Sequence, residues 1–466
     1  MKNLLAKIVS CWPYLVFLLL SLTLILTREP FIDEAWYTYP ALTFLREGGV
    51  LDITGGCQYA RIHPFNLAPT CLAYALWYKV GEVNIVWGRM VGVICGFLFL
   101  VILNKCFKMI RNGQSQTYGI VLGIVGTNYF FLSAISQIRP EALALLASSL
   151  SLYMYLLWQE DTKSVAKILL AHLFVILAAM FHWQSAFMAF GLWLAYLFTD
   201  RREISLKHLL SILALYLLFI VIYFVCVYPL WDEFINFTFG RLTGDMAGHR
   251  GGMVAAISRY WQTGQVVKLA TAVCFISVVG INMVRFWSNH KGRQAVFWYC
   301  FAGFLSWTGT TSSLDDYHAV WLVYALMAIL IYGFEDFKAL GSGIGLKRII
   351  SAAGIGACVI LSILGWVYAI KSSYENPRAN IYEKDLKGFN AKFRIDSLTP
   401  FSAREAMWHF EFNSSNTFVR SEAAEYHISR PLHGAAETLE ICGKHYALVK
   451  KGEKYGLYRR MEIVLP

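Results

Sequence analysis

Apolar runs of about 16–24 residues recur along this chain from residue 10 to residue 370. A helix needs that length to cross a hydrocarbon core of roughly 30 Å, where the backbone must satisfy its own polar groups. The runs fall at approximately 10–27, 86–104, 117–134, 141–158, 166–181, 184–199, 207–228, 266–284, 295–309, 319–333 and 348–370. These eleven spans, in a chain 57% hydrophobic and only 15% charged, predict an α-helical polytopic membrane protein. The first run follows Lys2 and Lys7 and lacks a small-residue cleavage site, so it reads as a retained helix and not a signal peptide.

In a soluble protein a formal charge of +11 would suggest nucleic acid. Here Lys and Arg gather at the ends of apolar runs, and no nucleic-acid partner is expected. One side collects Lys2/Lys7, Lys105/Lys108/Arg111, Lys163/Lys167, Arg201/Arg202/Lys207, Arg285/Lys291/Arg293 and Lys338/Lys347/Arg348. The positive-inside rule puts that side and the N-terminus in the cytoplasm, and an odd number of spans puts the tail outside. Residues 66–80, "NLAPTCLAYALWYKV", are apolar but short. Counting them as a span would invert every later loop, so they are assigned to an interfacial or re-entrant helix within a first outer loop, residues 28–85. A second outer loop, residues 229–265, is rich in Gly and aromatics, as a mobile substrate-facing loop would be.

Most of the ten cysteines lie inside predicted spans and none forms a Cys-x-x-Cys pair, which argues against a thiolate metal site. Cys57 and Cys442 both fall on the outer side, and their pairing stays open. Beyond residue 370 the chain turns polar, which predicts a transmembrane domain over 1–370 and a small extracytoplasmic α/β domain over 371–466. There "HYALVKKGEKYGLYRR" alternates apolar and polar residues around a Gly-containing turn, a hairpin signal.

With this topology the unusual polar residues share one side. Asp33 and Glu34 follow the first span, and Arg139 and Glu141 precede the fourth. His182 joins the fifth and sixth, Arg241 lies in the second large loop, and Tyr317 and His318 precede the tenth. Short connections should make them converge at the outer helix ends. Arg139 runs against the orientation bias, and charge at a membrane edge is costly unless paired or functional. Arginines there can bind a phosphate, and a neighbouring carboxylate can act as general base toward an attacking hydroxyl. Each residue also has a structural reading. Asp33 fits an N-cap of a helix starting at Glu34, Pro140 an ordinary helix start, His182 and Tyr317 interface positions, and Trp36, Tyr37 and Tyr39 an aromatic belt.

The order of three segments carries a resemblance. "DEAWYTYPALTFLREGG", "ARIHPFNLAPTCLAYALWYKVGE" and "VWGRMVGVICGFLFL" together resemble the N-terminal signature of GT-C glycosyltransferases. The similarity is to the bacterial branch with the lipid A aminoarabinose transferase and the protein O-mannosyltransferases. "SQIRPEALALLASSL" is similar to that family's Arg-Pro-acidic helix start. The resemblance spans about residues 10–200 and implies a GT-C fold that uses a polyprenyl-phosphate sugar at the outer face of a bacterial inner membrane. The acceptor would be a lipid, glycan or protein.

By the same resemblance, Asp33 is the expected base and Glu34 the second acidic residue of the catalytic pair. Arg61, His63 and Arg139 are expected near the donor phosphate. Glu141, His182, Arg241, Tyr317 and His318 are substrate-binding candidates by their predicted side. The branch generally works without a metal, so neither metal nor other cofactor is expected, and a monomer is. No nucleotide-binding glycine loop is expected and none is present. The alternatives are a lipid-linked sugar translocase, which lacks the expected pair of broken helices in two repeats, and a non-catalytic partner that presents the C-terminal domain.

Overall fold

Each of the eleven apolar runs becomes helix. The structure, a computed structural model, describes residues 2–29, 32–47, 53–55, 58–60, 68–81, 84–110, 117–228, 231–232, 235, 252–284, 291–311, 317–338, 345–377, 395–396, 426–429, 437–441, 444–451 and 456–461. Among these, six helices are long and apolar enough to cross a membrane, or seven if one bent pair is a single span. Cys11–Thr27 and Val165–Phe181 are shorter apolar helices. The chain divides into two compact units: residues 1–21, 93–135 and 140–368, and residues 22–92, 136–139 and 369–466.

In chain order the helices are α1 Lys2–Thr27, α2 Ile32–Glu47, α3 Ala68–Val80, α4 Ile85–Ile110, α5 Thr117–Gly126, α6 Tyr129–Ile135, α7 Pro140–Glu160 and α8 Val165–Phe181. They continue as α9 Ala186–Leu194, α10 Leu206–Val227, α11 Gly252–Gln262, α12 Val266–Val284, α13 Lys291–Thr310, α14 Val323–Lys338 and α15 Leu346–Glu375.

In the first unit, the small and hydroxylated stretch "LASSLSL" of α7 lets neighbouring helices come close. The Ser148 hydroxyl meets the Tyr324 phenol at 2.6 Å, and Ser151 meets Tyr299 at 2.7 Å. Such buried hydroxyl pairs join helices where lipid offers no hydrophobic drive. The predicted span 117–134 is not straight. α5 and α6 meet at a bend of 58°. The Thr127 hydroxyl bonds back to the Gly123 carbonyl at 2.7 Å. Asn128 then restarts the helix, its Oδ1 accepting from the Phe130 N–H at 2.9 Å. α15 passes close against this break, where a Cβ at Gly365 would sit 1.9 Å from the Thr127 carbonyl oxygen. Only glycine allows that approach.

In the second unit, α2 is buried along Glu34, Tyr37, Thr38, Ala41 and Leu42, one helical face. α3 is thirteen residues long, too short to span, consistent with its exclusion from the spans. The short strands Ile53–Gly55 (β1) and Gln58–Ala60 (β2) pair antiparallel. The C-terminal part contains a five-stranded sheet, order β3 (Ile395–Asp396), β4 (Tyr426–Ser429), β7 (Gly456–Arg460), β6 (Lys444–Lys451), β5 (Thr438–Ile441). Only β3 and β4 are parallel. β6 and β7 are the hairpin strands expected from the alternating pattern, with Tyr446 and Tyr458 buried.

Candidate functional site

The second unit holds a closed charge pair. Arg89 enters α4 one turn from its start, a lone guanidinium in an otherwise apolar run, and is fully buried. Its five N–H groups make five bonds. Nε and Nη2 donate to the two oxygens of Glu34, each at 2.8 Å. Nη1 donates to the carbonyls of Ile25 at 3.2 Å and Arg28 at 2.9 Å, and Nη2 also to that of Glu29 at 3.2 Å. These carbonyls lie in and just after the last turn of α1, so the arginine caps that helix end. Glu34 Oε1 also accepts from the Ile138 N–H at 2.9 Å. Beside the pair, Thr38 and Tyr78 lie 3.4 Å apart through their hydroxyls. Burial pushes the Tyr78 phenol well above its ordinary pKa, which keeps it neutral.

Arg139 is buried, and its backbone is held at both ends by one phenol. The Arg139 N–H donates to Tyr74 Oη at 3.0 Å, and that hydroxyl donates to the Arg139 carbonyl at 3.2 Å. Asp33 stands in the first turn of α2, which begins at Ile32, so it does not cap a helix starting at Glu34. A carboxylate there is favoured by the helix dipole. The side chains of Asp33 and Tyr317, and all of Arg61, His63, Arg241, Cys57 and Cys442, lie outside the described residues.

The first unit brings together three of the predicted residues. Glu141 is in the first turn of α7, which begins at Pro140 as an ordinary helix start. His182 ends α8 in an extended conformation, φ −146° and ψ 123°. His318 is the second residue of a 3-10 turn, Tyr317–Leu322, that leads into α14. The start of one helix, the end of its antiparallel partner and the start of a third thus share one end of the bundle. Glu141 Oε1 lies 3.8 Å from His182 Nε2 and 3.5 Å from His318 Nδ1. Glu141 and His182 are buried, while the His318 side chain is 19% exposed.

Gln184, which sequence reasoning did not single out, ties this corner together. Its Nε2 donates to Thr310 Oγ1 at 2.6 Å, and its Oε1 accepts from Trp321 Nε1 at 3.0 Å. The Trp321 ring lies against His182, with centroids 6.1 Å apart. Gly303 of α13 allows the Trp321 backbone to approach, since a Cβ would meet its carbonyl oxygen at 2.4 Å. Arg89 was also missed as a site residue. The available signal was its place as an ionisable residue inside an apolar span.

No family model and no curated protein matches the sequence. Solved structures do match. ArnT from Cupriavidus metallidurans bound to undecaprenyl phosphate aligns over 100% of this chain and 100% of its own, with TM-score 0.61 and 11% identity. The same protein in the apo state aligns over 98% of each chain, with TM-score 0.59 and 11% identity. The Archaeoglobus fulgidus oligosaccharyltransferase in the apo form aligns over 90% of this chain and 70% of its own, with TM-score 0.47 and 10% identity. With its apolar helices and a match to ArnT along the full length of both chains, this is an integral membrane protein with the GT-C glycosyltransferase fold.

Proposed function

We propose that the chain is a membrane glycosyltransferase that moves a monosaccharide from a polyprenyl-phosphate donor to a hydroxyl or phosphate of a lipid, glycan or protein. The reaction is placed on the outer face of a bacterial inner membrane, with the N-terminus in the cytoplasm. The observation that carries this reading is the full-length likeness to a fold solved with undecaprenyl phosphate bound.

The acceptor oxygen attacks the anomeric carbon, and the bond from that carbon to the phosphate oxygen breaks. The acceptor proton passes to the Asp33 carboxylate, and the polyprenyl phosphate leaves with the electron pair. Arg61, His63, Arg139 and Arg241 are assigned to the departing phosphate, whose charge a guanidinium stabilises. Glu141, His182, Tyr317 and His318 are assigned to substrate binding. Glu34 is given a different task from its neighbour. With both oxygens bonded inside the protein, it positions the loop entry and leaves the proton transfer to Asp33.

Purified protein in detergent, offered a panel of radiolabelled polyprenyl-phosphate monosaccharides and host membrane extract, is expected to transfer label from one donor. Asp33→Asn is expected to bind that donor unchanged and to transfer roughly 10²–10⁴-fold more slowly. Full transfer by the variant removes Asp33 from the mechanism. Donor binding without transfer by wild type favours a translocase.

A further inference from the structure

We propose that a groove in the first unit, bounded by α6, α12 and α15, holds one anionic diacyl phospholipid, with an acyl chain in the groove and the phosphate on Lys268. Such a site requires only that the chain lies in a membrane, whatever reaction it catalyses.

The groove has a volume of about 640 Å³. Small side chains open it: Ala270, Thr271 and Cys274 of α12 and Ala357 of α15 line it, together with Tyr129 and Phe130 at the start of α6. Close-packed helices leave no void of this size. An empty apolar void forfeits the dispersion contacts of its walls. Water finds few partners here, because the Thr271 hydroxyl already donates back to the Val267 carbonyl at 2.7 Å. Hydrocarbon is the occupant that suits the walls.

The length of the groove selects the chain. From Lys268 to Val278 the lining of α12 advances ten residues, about 15 Å along the helix. That is half of a hydrocarbon core of roughly 30 Å, the depth that an acyl chain of one leaflet covers. A polyprenyl carrier is much longer than this groove.

The charge at one end selects the headgroup. α12 has no acidic residue in its first turn and carries Lys268 there, a cation at the positive end of the helix dipole. Lys268 is exposed and forms no ion pair among the described residues. Its ammonium lies over the Tyr260 ring, 5.9 Å from the centroid. Gly264, at φ +66°, makes the turn that brings Tyr260 of α11 back beside it. The exposed Trp261 next to that turn marks headgroup depth, where tryptophan collects. A cation and a helix N-terminus both attract a phosphate and both repel the ammonium of a zwitterionic headgroup.

The test uses the full-length protein, delipidated in mild detergent and titrated with dioleoyl phosphatidylglycerol, dioleoyl phosphatidylcholine or undecaprenyl phosphate. Bound lipid is counted by native mass spectrometry. One phosphatidylglycerol per chain is expected to bind at least about fivefold more tightly than phosphatidylcholine, and Lys268→Ala is expected to remove that preference. Cys274→Trp, which fills the groove, is expected to lose both phospholipids at this site. The wild type gives a second readout, because Cys274 is a free, exposed thiol in the groove and Cys226 of α10 is one outside it. Phosphatidylglycerol is expected to slow N-ethylmaleimide labelling of Cys274, read by peptide mass spectrometry, and to leave Cys226 unchanged. Melting checks that the variants are folded, and Ala270→Leu takes the place of Cys274→Trp if that variant is not. Equal protection of both thiols overturns the site, as does a headgroup preference that survives in folded Lys268→Ala. Tighter binding of undecaprenyl phosphate with protection of Cys274 assigns the groove to the carrier and overturns the phospholipid reading.

Discussion

Two buried glutamates in this molecule behave in opposite ways. Glu34 has its carboxylate closed by short bonds, two to a guanidinium and one to a backbone N–H. Glu141 faces two imidazoles at 3.5 and 3.8 Å, one of them reachable from outside. The first arrangement is a structural joint. It links three chain segments and caps a helix, and it has no geometry left for a ligand. The second brings the first turn of α7 to the end of α8 and to the turn that leads into α14. Burial alone therefore does not identify a functional carboxylate. What sets the two apart is the group each faces, a guanidinium or two imidazoles.

The sharpest way to break the contrast is Arg89→Ala. Removing one partner of a buried pair costs about 3–5 kcal/mol, and here it also strands carbonyls at the end of α1. The expected result is a large loss of folded protein on size-exclusion chromatography and a much lower melting temperature in detergent. Replacing both Arg89 and Glu34 by leucine should not restore stability, because those carbonyls and the Ile138 N–H lose their partners. A double variant as stable as wild type would show that the joint is only an ion pair.

Glu34→Gln comes next, at about 3 kcal/mol, since it leaves the buried Arg89 charge uncompensated although the shape is kept. Gly303→Ala perturbs only the other region. Its Cβ would meet the Trp321 carbonyl oxygen at 2.4 Å, and an overpacking cost of about 1–3 kcal/mol is expected. Intrinsic tryptophan fluorescence should report the shift of Trp321, while the Glu34–Arg89 joint stays intact. Glu141→Gln keeps its shape and strands no buried guanidinium, so it is expected to cost less than Glu34→Gln. A cost equal to that of Glu34→Gln, read from the same melts, would remove the distinction between the two carboxylates.

Periodicity and length made the helices legible, because the bilayer admits few solutions for apolar runs of this size. The charge pattern was enough to keep α3 out of the spans, and period-two alternation located β6 and β7. The break between α5 and α6 was not legible. Its signal, "GTN", is three residues inside a continuous apolar run, and the bend depends on Asn128 restarting the helix and on Gly365 fitting against it. Of the site, the residue types were readable, and Glu141, His182 and His318 do meet. Their partners were not. Glu34 and Arg89 are 55 positions apart, and Gln184 and Trp321 are 137 apart, so only the folded chain reveals either contact.

The closed joint also sets a timetable. Glu34 leaves the ribosome 55 residues before the arginine that neutralises it. At about 5–20 residues per second, that is about 3–11 s of synthesis in which the carboxylate has no guanidinium to pair with. During that interval the exit of α1 lacks the guanidinium that caps it in the folded chain. Slow codons between residues 34 and 89 would lengthen that interval without changing a single amino acid.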